Sequence, residues 1–198
     1  MIKMDKMSAG AGSLDAGYDW DRLVQEDRVS RQIYTDPVIF AAEMTKIFGA
    51  VWVYIAHESQ IPNNDNFVRS RLGLRPIIVT RDSSGRVRAL YNRCTHRGAT
   101  ICRQDSGSAK GFTCPYHGWA FSTDGSLIGI PHGKGYNGKL DPKDPALALD
   151  RVPRVESYRG FVFASGANGG PSLADYLGPM TRAIDNMVDR APEGEIEM

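Results

Sequence analysis

Cysteine is scarce in this chain: Cys94, Cys102 and Cys114 are the only three among 198 residues. An odd and small number cannot build a disulfide framework, and it points to reduced thiols in the cytoplasm. Histidine is nearly as rare, at four. Surplus charge of one sign is missing, since 24 basic and 23 acidic residues leave a net charge of +1. That balance removes the electrostatic case for nucleic acid or an anionic membrane surface as a partner. No apolar run reaches the ~18 residues of a membrane-spanning helix. Residues 1–17 hold no apolar leader core, so no secretory signal is expected. Their Gly, Ala and Ser content reads as a mobile tail, extending to about residue 30.

What is present is the composition of a folded globular protein, 41% hydrophobic and 24% charged. The length suffices for one domain and part of a second. Asp36-Pro37 has the form of an N-cap followed by proline at the first helical position. Phe40, Met44, Ile47 and Val51 follow at helical spacing, which predicts a helix from about Asp36 to Phe48, closing at Gly49. After it the texture turns to strands. Val51 to Ile55, Ile77 to Thr80, Val87 to Tyr91, Phe112 to Cys114, Trp119 to Phe121 and Gly160 to Ala164 are short β-branched or aromatic runs. Turns at 82–85 and 123–126 join them into hairpins. The predicted fold is mainly β, an antiparallel β-sandwich over residues 31–170, with a leading helix and a C-terminal helical segment. Residues 131–154, rich in Gly, Pro, Lys and Asp, read as a long surface loop. Beyond Ser172, which with Asp175 makes an approximate capping box, Leu173, Tyr176, Leu177, Met180, Ile184, Met187 and Val188 form an apolar stripe split by Pro179. Glu195 to Met198 alternates like the start of a strand. Residues 171–198 therefore read as the opening of a second, truncated domain.

The chemistry concentrates in Cys94-Thr95-His96-Arg97-Gly98 and Cys114-Pro115-Tyr116-His117-Gly118-Trp119. Each stretch supplies one thiolate and one imidazole. Two thiolates suit one iron and two imidazoles a second, the Rieske form of a [2Fe–2S] cluster. Two ferric ions, two sulfides and two thiolates sum to about zero charge, against about −2 for an all-thiolate cluster, so a neutral centre accepts an electron more readily. Gly98 and Gly118 let the backbone turn tightly and bring its N–H groups toward the sulfurs. Pro115 stiffens the second loop. The same four residues could hold a structural zinc ion, although zinc sites usually pair like ligands as C-x₂₋₄-C and H-x₃₋₅-H.

The stretches Cys94 to Ala99 and Cys114 to Phe121, followed by Gly125-Ser126-Leu127, resemble the N-terminal Rieske domain of aromatic ring-hydroxylating oxygenase large (α) subunits. A looser likeness runs from about Arg31 to the C-terminus. Rieske subunits of cytochrome bc complexes fit less well. Their extra disulfide would fall at Ala99 and Tyr116, and their membrane anchor has no counterpart. The resemblance implies an electron-transfer domain fed by a ferredoxin or reductase. It also implies a mononuclear Fe(II) centre on a 2-His-1-carboxylate triad in the full-length protein only, a possible β subunit, and a homo-oligomer when full length. Outside the four ligands only His57 and His132 remain, so this polypeptide is not expected to oxygenate a substrate. A stand-alone Rieske ferredoxin is the alternative, and a genomic pattern of D/E-x₂-H-x₄-H downstream separates the two. By likeness to benzoate-, salicylate- and terephthalate-type members, an aromatic carboxylate is the expected ring substrate.

Around the ligands, Tyr116 and Trp119 are expected to pack on the cluster loops and exclude water. Arg97 is read either as a donor-docking residue or as one half of a surface ion pair. Cys102 reads as a small buried hydrophobe, and His57 and His132 as exposed or structurally bonded residues.

Overall fold

The structure is a computed structural model that describes residues 17–137, 140–191 and 194–198. Residues 1–16 of the expected tail lie outside the described residues. The stretch after them has local structure: α1 (Trp20–Leu23) buries Leu23, and Val24 bridges to Val29. A second single turn, α2 (Gln32–Thr35), precedes α3 (Pro37–Ala42). Asp36 caps α3 by accepting from the N–H groups of Val38 and Ile39, and Pro37 occupies the first turn, where no N–H partner is needed. The helix widens into a π-turn over Glu43–Ile47 and ends at Phe48, as the spacing predicts.

Among the described residues ten short strands form three antiparallel sheets. The first has the order β1 (Val53–His57), β10 (Phe161–Ser165), β9 (Arg154–Tyr158). The central sheet runs β4 (Val87–Tyr91), β3 (Arg75–Arg81), β2 (Asn66–Leu72), β5 (Ser106–Ser108). The third runs β6 (Gly111–Thr113), β7 (Ala120–Ser122), β8 (Leu127–Gly129). None of the three closes into a barrel among the described residues.

The unbroken apolar run at Ile77 to Val79 is explained by burial on both faces of the central sheet. Ile77 and Val79 join Ile55, Ala56, Val162 and Ala164 in one core, beneath the first sheet. Ile78 points the other way, with Phe67 and Leu90, into a second core that contains Cys94, Cys114, Trp119 and Phe121. The hairpin turn at 82–85 is set by Asp82, whose carboxylate accepts from Ser84 and from the N–H of Arg86.

Four strands escape the sequence reading, one of them β8, which follows the 123–126 turn. β2 carries exposed arginines between its apolar positions, β5 is Ser-Gly-Ser, and β9 overlaps the end of the segment taken as a loop. That segment's described residues hold single 3₁₀ turns and an isolated bridge from Arg151 to Leu90 before β9, and they bury Leu149 and Val152. Pro179 splits the C-terminal segment into α4 (Leu173–Leu177) and α5 (Met180–Val188). Leu173, Ile184 and Val188 are buried, whereas Tyr176, Met180 and Met187 are exposed. Arg159 pins α5 to the β9–β10 hairpin through Asp185 (3.2 Å) and Asp189 (2.6 Å). Glu195 to Met198 is not a strand; it lies against the first sheet, where the Met198 N–H donates to Ser59 Oγ at 3.0 Å.

Candidate metal centre

Two loops rise from the cluster-side core, one between β4 and β5 and one between β6 and β7. Their backbones close in the same way. The Cys94 N–H donates to the Ala99 carbonyl at 2.8 Å and the Gly98 N–H returns to the Cys94 carbonyl at 2.7 Å. In the second loop the Cys114 N–H donates to Trp119 at 2.7 Å and the Gly118 N–H returns to Cys114 at 2.9 Å. Both closures need a left-handed residue, and glycine supplies it, with φ +77° at Gly98 and +73° at Gly118. At Gly118 a side chain would also meet the Pro131 ring, 2.7 Å from an added Cβ. The histidine sits two residues after the cysteine in one loop and three after it in the other, which turns two similar hairpins into complementary halves.

Cys94 and Cys114 are buried and share the core with Trp119 and Phe121. Burial pushes the Cys94 thiol up from its ordinary pKa, and the facing Cys114 thiol adds to the rise, while the N–H groups of His96 and Arg97 oppose it. Those two N–H groups favour a thiolate at Cys94. The imidazoles face each other as the thiols do. The His96 and His117 rings lie 4.8 Å apart between centroids. His96 stacks on Trp119 at 4.8 Å with planes 6° apart. Its Nδ1 is buried with no hydrogen-bond partner. Burial, then the charges of His117 and Arg97, lower the His96 pKa and keep its ring neutral, the form that binds metal.

Sulfur faces sulfur and nitrogen faces nitrogen. Among the described residues no three His, Cys, Asp or Glu side chains converge on one point fit for a single ion. A buried nitrogen without a partner is costly in a protein core, and a metal would supply what it lacks. The donor set therefore suits a two-iron cluster better than a tetrahedral zinc ion.

The remaining predicted residues divide. Trp119 is 4% exposed and forms the wall behind His96. Tyr116 is 65% exposed and lies over the His117 ring, with 3.8 Å between centroids. Arg97 is exposed and makes no ion pair among the described residues. Cys102 is buried, its Sγ donating to the Gln104 carbonyl at 3.4 Å. His57 belongs to β1, in the sheet across the central one, and is buried, with Nδ1 2.9 Å from Ser59 Oγ. His132 is exposed.

Two contributors carry no sequence signal. Asn92 is buried and ties the two ends of the first loop together, accepting from the N–H groups of Ile101 (3.1 Å) and Cys102 (2.9 Å) and donating to the Cys102 carbonyl (2.7 Å). Thr95 Oγ1 donates to the Leu147 carbonyl at 2.8 Å, which anchors the ligand loop to the 3₁₀ turn over Pro145–Leu147.

Antiparallel sheets presenting two Cys/His hairpins side by side define an iron–sulfur type of electron-transfer protein. Residues 51–155 match the family described as "Rieske [2Fe-2S] domain", and the chain belongs to that family. It is 41% identical over 191 residues to toluate 1,2-dioxygenase subunit alpha of Pseudomonas putida, covering 92% of this chain and 42% of that protein. It is 42% identical over 172 residues to anthranilate 1,2-dioxygenase large subunit of Acinetobacter baylyi, covering 86% and 36%. The crystal structure of naphthalene 1,2-dioxygenase from Rhodococcus sp. bound to indole superposes with a TM-score of 0.78 at 39% identity, over 83% of this chain and 37% of that one. The chain thus spans at most 42% of the length of these relatives.

Proposed function

We propose that this chain holds a Rieske [2Fe–2S] cluster through Cys94, His96, Cys114 and His117 and passes single electrons within the α subunit of an aromatic ring-hydroxylating oxygenase. The observation that carries the reading is the pairing of the donors: two buried thiols facing each other and two imidazoles 4.8 Å apart, one with an orphaned buried Nδ1. When bound, such a cluster accepts and releases one electron at a potential of roughly −150 to +300 mV, raised by the two imidazoles.

The chain's own groups divide the work. The N–H groups of His96 and Arg97 offset negative charge on the Cys94 sulfur. Trp119 fixes the plane of His96 and keeps water from that side. His117, half-buried beneath the exposed Tyr116, brings one imidazole to the surface, where a redox partner can approach.

The reading extends to the larger protein. There the electron reaches a mononuclear Fe(II) site outside this chain, supplied by a ferredoxin or reductase, in a cytoplasmic homo-oligomer with or without a β subunit. No helix among the described residues is long and apolar enough to cross a membrane. Relatives named for toluate and anthranilate, both aromatic carboxylates, support an aromatic acid as the ring substrate. Likeness to α subunits over 92% of the chain favours this reading over a stand-alone carrier.

The test is iron and acid-labile sulfide analysis of anaerobically purified protein. Two irons and two sulfides per chain are expected, retained in Cys102→Ala and lost in Cys114→Ala and His96→Ala. One zinc per chain without sulfide, or full iron after loss of both imidazoles, overturns the proposal.

A further inference from the structure

The chain is almost neutral, yet its arginines are unevenly spread. Residues 92–105 hold Arg93, Arg97 and Arg103 against a single carboxylate, Asp105. β2 adds two more. Arg69 pairs in register with Ile78 of the cluster-side core, and Arg71 with Pro76, so both arginines stand on the sheet face that carries the first ligand loop. The Pro76 carbonyl in turn accepts from the Asn92 N–H at 2.9 Å.

The strands draw these side chains together. β2 and β5 pair through Val68 and Ser106, and the Arg69 N–H continues the ladder to the Asp105 carbonyl at 2.6 Å. Arg103 lies two residues before Asp105, the residue that ladder reaches. Arg93 lies along the turn of the ligand loop, its Nε 2.9 Å from where a Cβ on Gly98 would stand. Arg97 projects from the same loop, one residue past His96. All five arginines are exposed. Asp105 pairs with Arg69, and among the described residues Arg71, Arg93, Arg97 and Arg103 make no ion pair.

Like charges gathered on one face with a single carboxylate paired among them destabilise the isolated fold. An anionic partner converts that repulsion into attraction and speeds encounter. The loop of Tyr116 and His117 contributes no arginine.

We propose that the arginine belt formed by Arg69, Arg71, Arg93, Arg97 and Arg103 is the docking face for an acidic one-electron donor protein. The proposal rests on the cluster reading above. Partners that carry surface carboxylates around their redox centre dock beside Cys94 and His96 and deliver the electron there.

Stopped-flow reduction of the iron-loaded protein tests this with two probes. One is a small plant-type [2Fe–2S] ferredoxin of strongly negative net charge, whose potential near −400 mV makes transfer downhill. The other is a photoreduced, uncharged flavin. For the unaltered protein the ferredoxin rate is expected to fall at least about tenfold as ionic strength rises from about 0.02 M to about 0.5 M. Arg71→Glu/Arg103→Glu lowers the low-salt ferredoxin rate by about tenfold or more, and Arg71→Gln/Arg103→Gln by a smaller factor. The flavin rate is unchanged in both variants. Ferredoxin rates indifferent to salt and to both double substitutions overturn the docking face while leaving the cluster reading intact. An equal loss with flavin also overturns it, because the arginines then support the site itself. A protein that neither probe reduces overturns both readings.

Discussion

Asn92 ties the first ligand loop together from inside. Its amide spans residues 101 and 102, and its own backbone joins β3 through Pro76, so Cys94 leaves the sheet from a fixed point. At 2% exposure water cannot replace these bonds. Asn92→Ala leaves two N–H groups and a carbonyl unpaired, a loss of roughly 2–3 kcal/mol. Urea unfolding at pH 7 should show that loss, and metal analysis should show reduced iron. Asn92→Asp keeps both accepted bonds and adds a buried negative charge beside the loop. It should retain more iron than the alanine variant, at a reduction potential below that of the unaltered protein. Full iron and unchanged stability in Asn92→Ala would remove Asn92 from the account. The four side chains proposed as donors stood out in the sequence because each loop carries its cysteine and histidine within three residues of each other. Asn92 was not, because its partners stand nine and ten positions away and an asparagine before a cysteine has no distinctive chemistry.

At the scale of elements, local signals survive where a single residue enforces the geometry. Asp36-Pro37 marks the start of α3, and Pro179 divides α4 from α5. The β3–β4 turn is the strongest such case. Burial alone would raise the Asp82 pKa. Bonds from Ser84, the Arg88 guanidinium and the N–H groups of Arg86 and Ser84 outweigh it and bring the pKa down to about 2. A folded-state pKa below the unfolded value stabilises the protein above the unfolded pKa near 4, and that stability is lost as pH falls through about 2. The contribution at pH 7 is at most about 2–3 kcal/mol. Asp82→Asn should therefore lower the urea midpoint at pH 7, with the difference from the unaltered protein shrinking steadily between about pH 4 and pH 2. A difference independent of pH would assign the effect to packing rather than charge. Strands with neither such an anchor nor a β-branched or aromatic run were illegible. β5 is Ser-Gly-Ser and reads as a turn; it is a strand only because β2 lies beside it. In β2, Arg69 and Arg71 stand on the cluster-side face beyond the edge of its core, so burial does not mark them as strand residues.

The whole molecule is partitioned by its central sheet, and Ile77 and Ile78 sample the two sides from adjacent positions. Both are fully buried. Ile77 faces the core shared with β1 and β10, and Ile78 faces the core that contains both cysteines, Trp119 and Phe121. Each isoleucine truncated to alanine removes a similar volume from a close-packed interior and should cost roughly 2–5 kcal/mol. Their effects on the site should differ. A cavity beneath Ile78 loosens the packing behind Cys94, Cys114 and the Trp119 wall, whereas a cavity beneath Ile77 opens on the far side of a hydrogen-bonded sheet. Ile78→Ala should shift the visible circular dichroism of the iron-loaded protein, and Ile77→Ala should leave it unchanged at matched loss of stability. The milder Ile→Val pair, at roughly 0.5–1.5 kcal/mol each, keeps the comparison available if an alanine variant does not fold. Equal spectral changes from both sides would mean that the sheet transmits strain as one body, and that the site is held by global stability rather than by its own core.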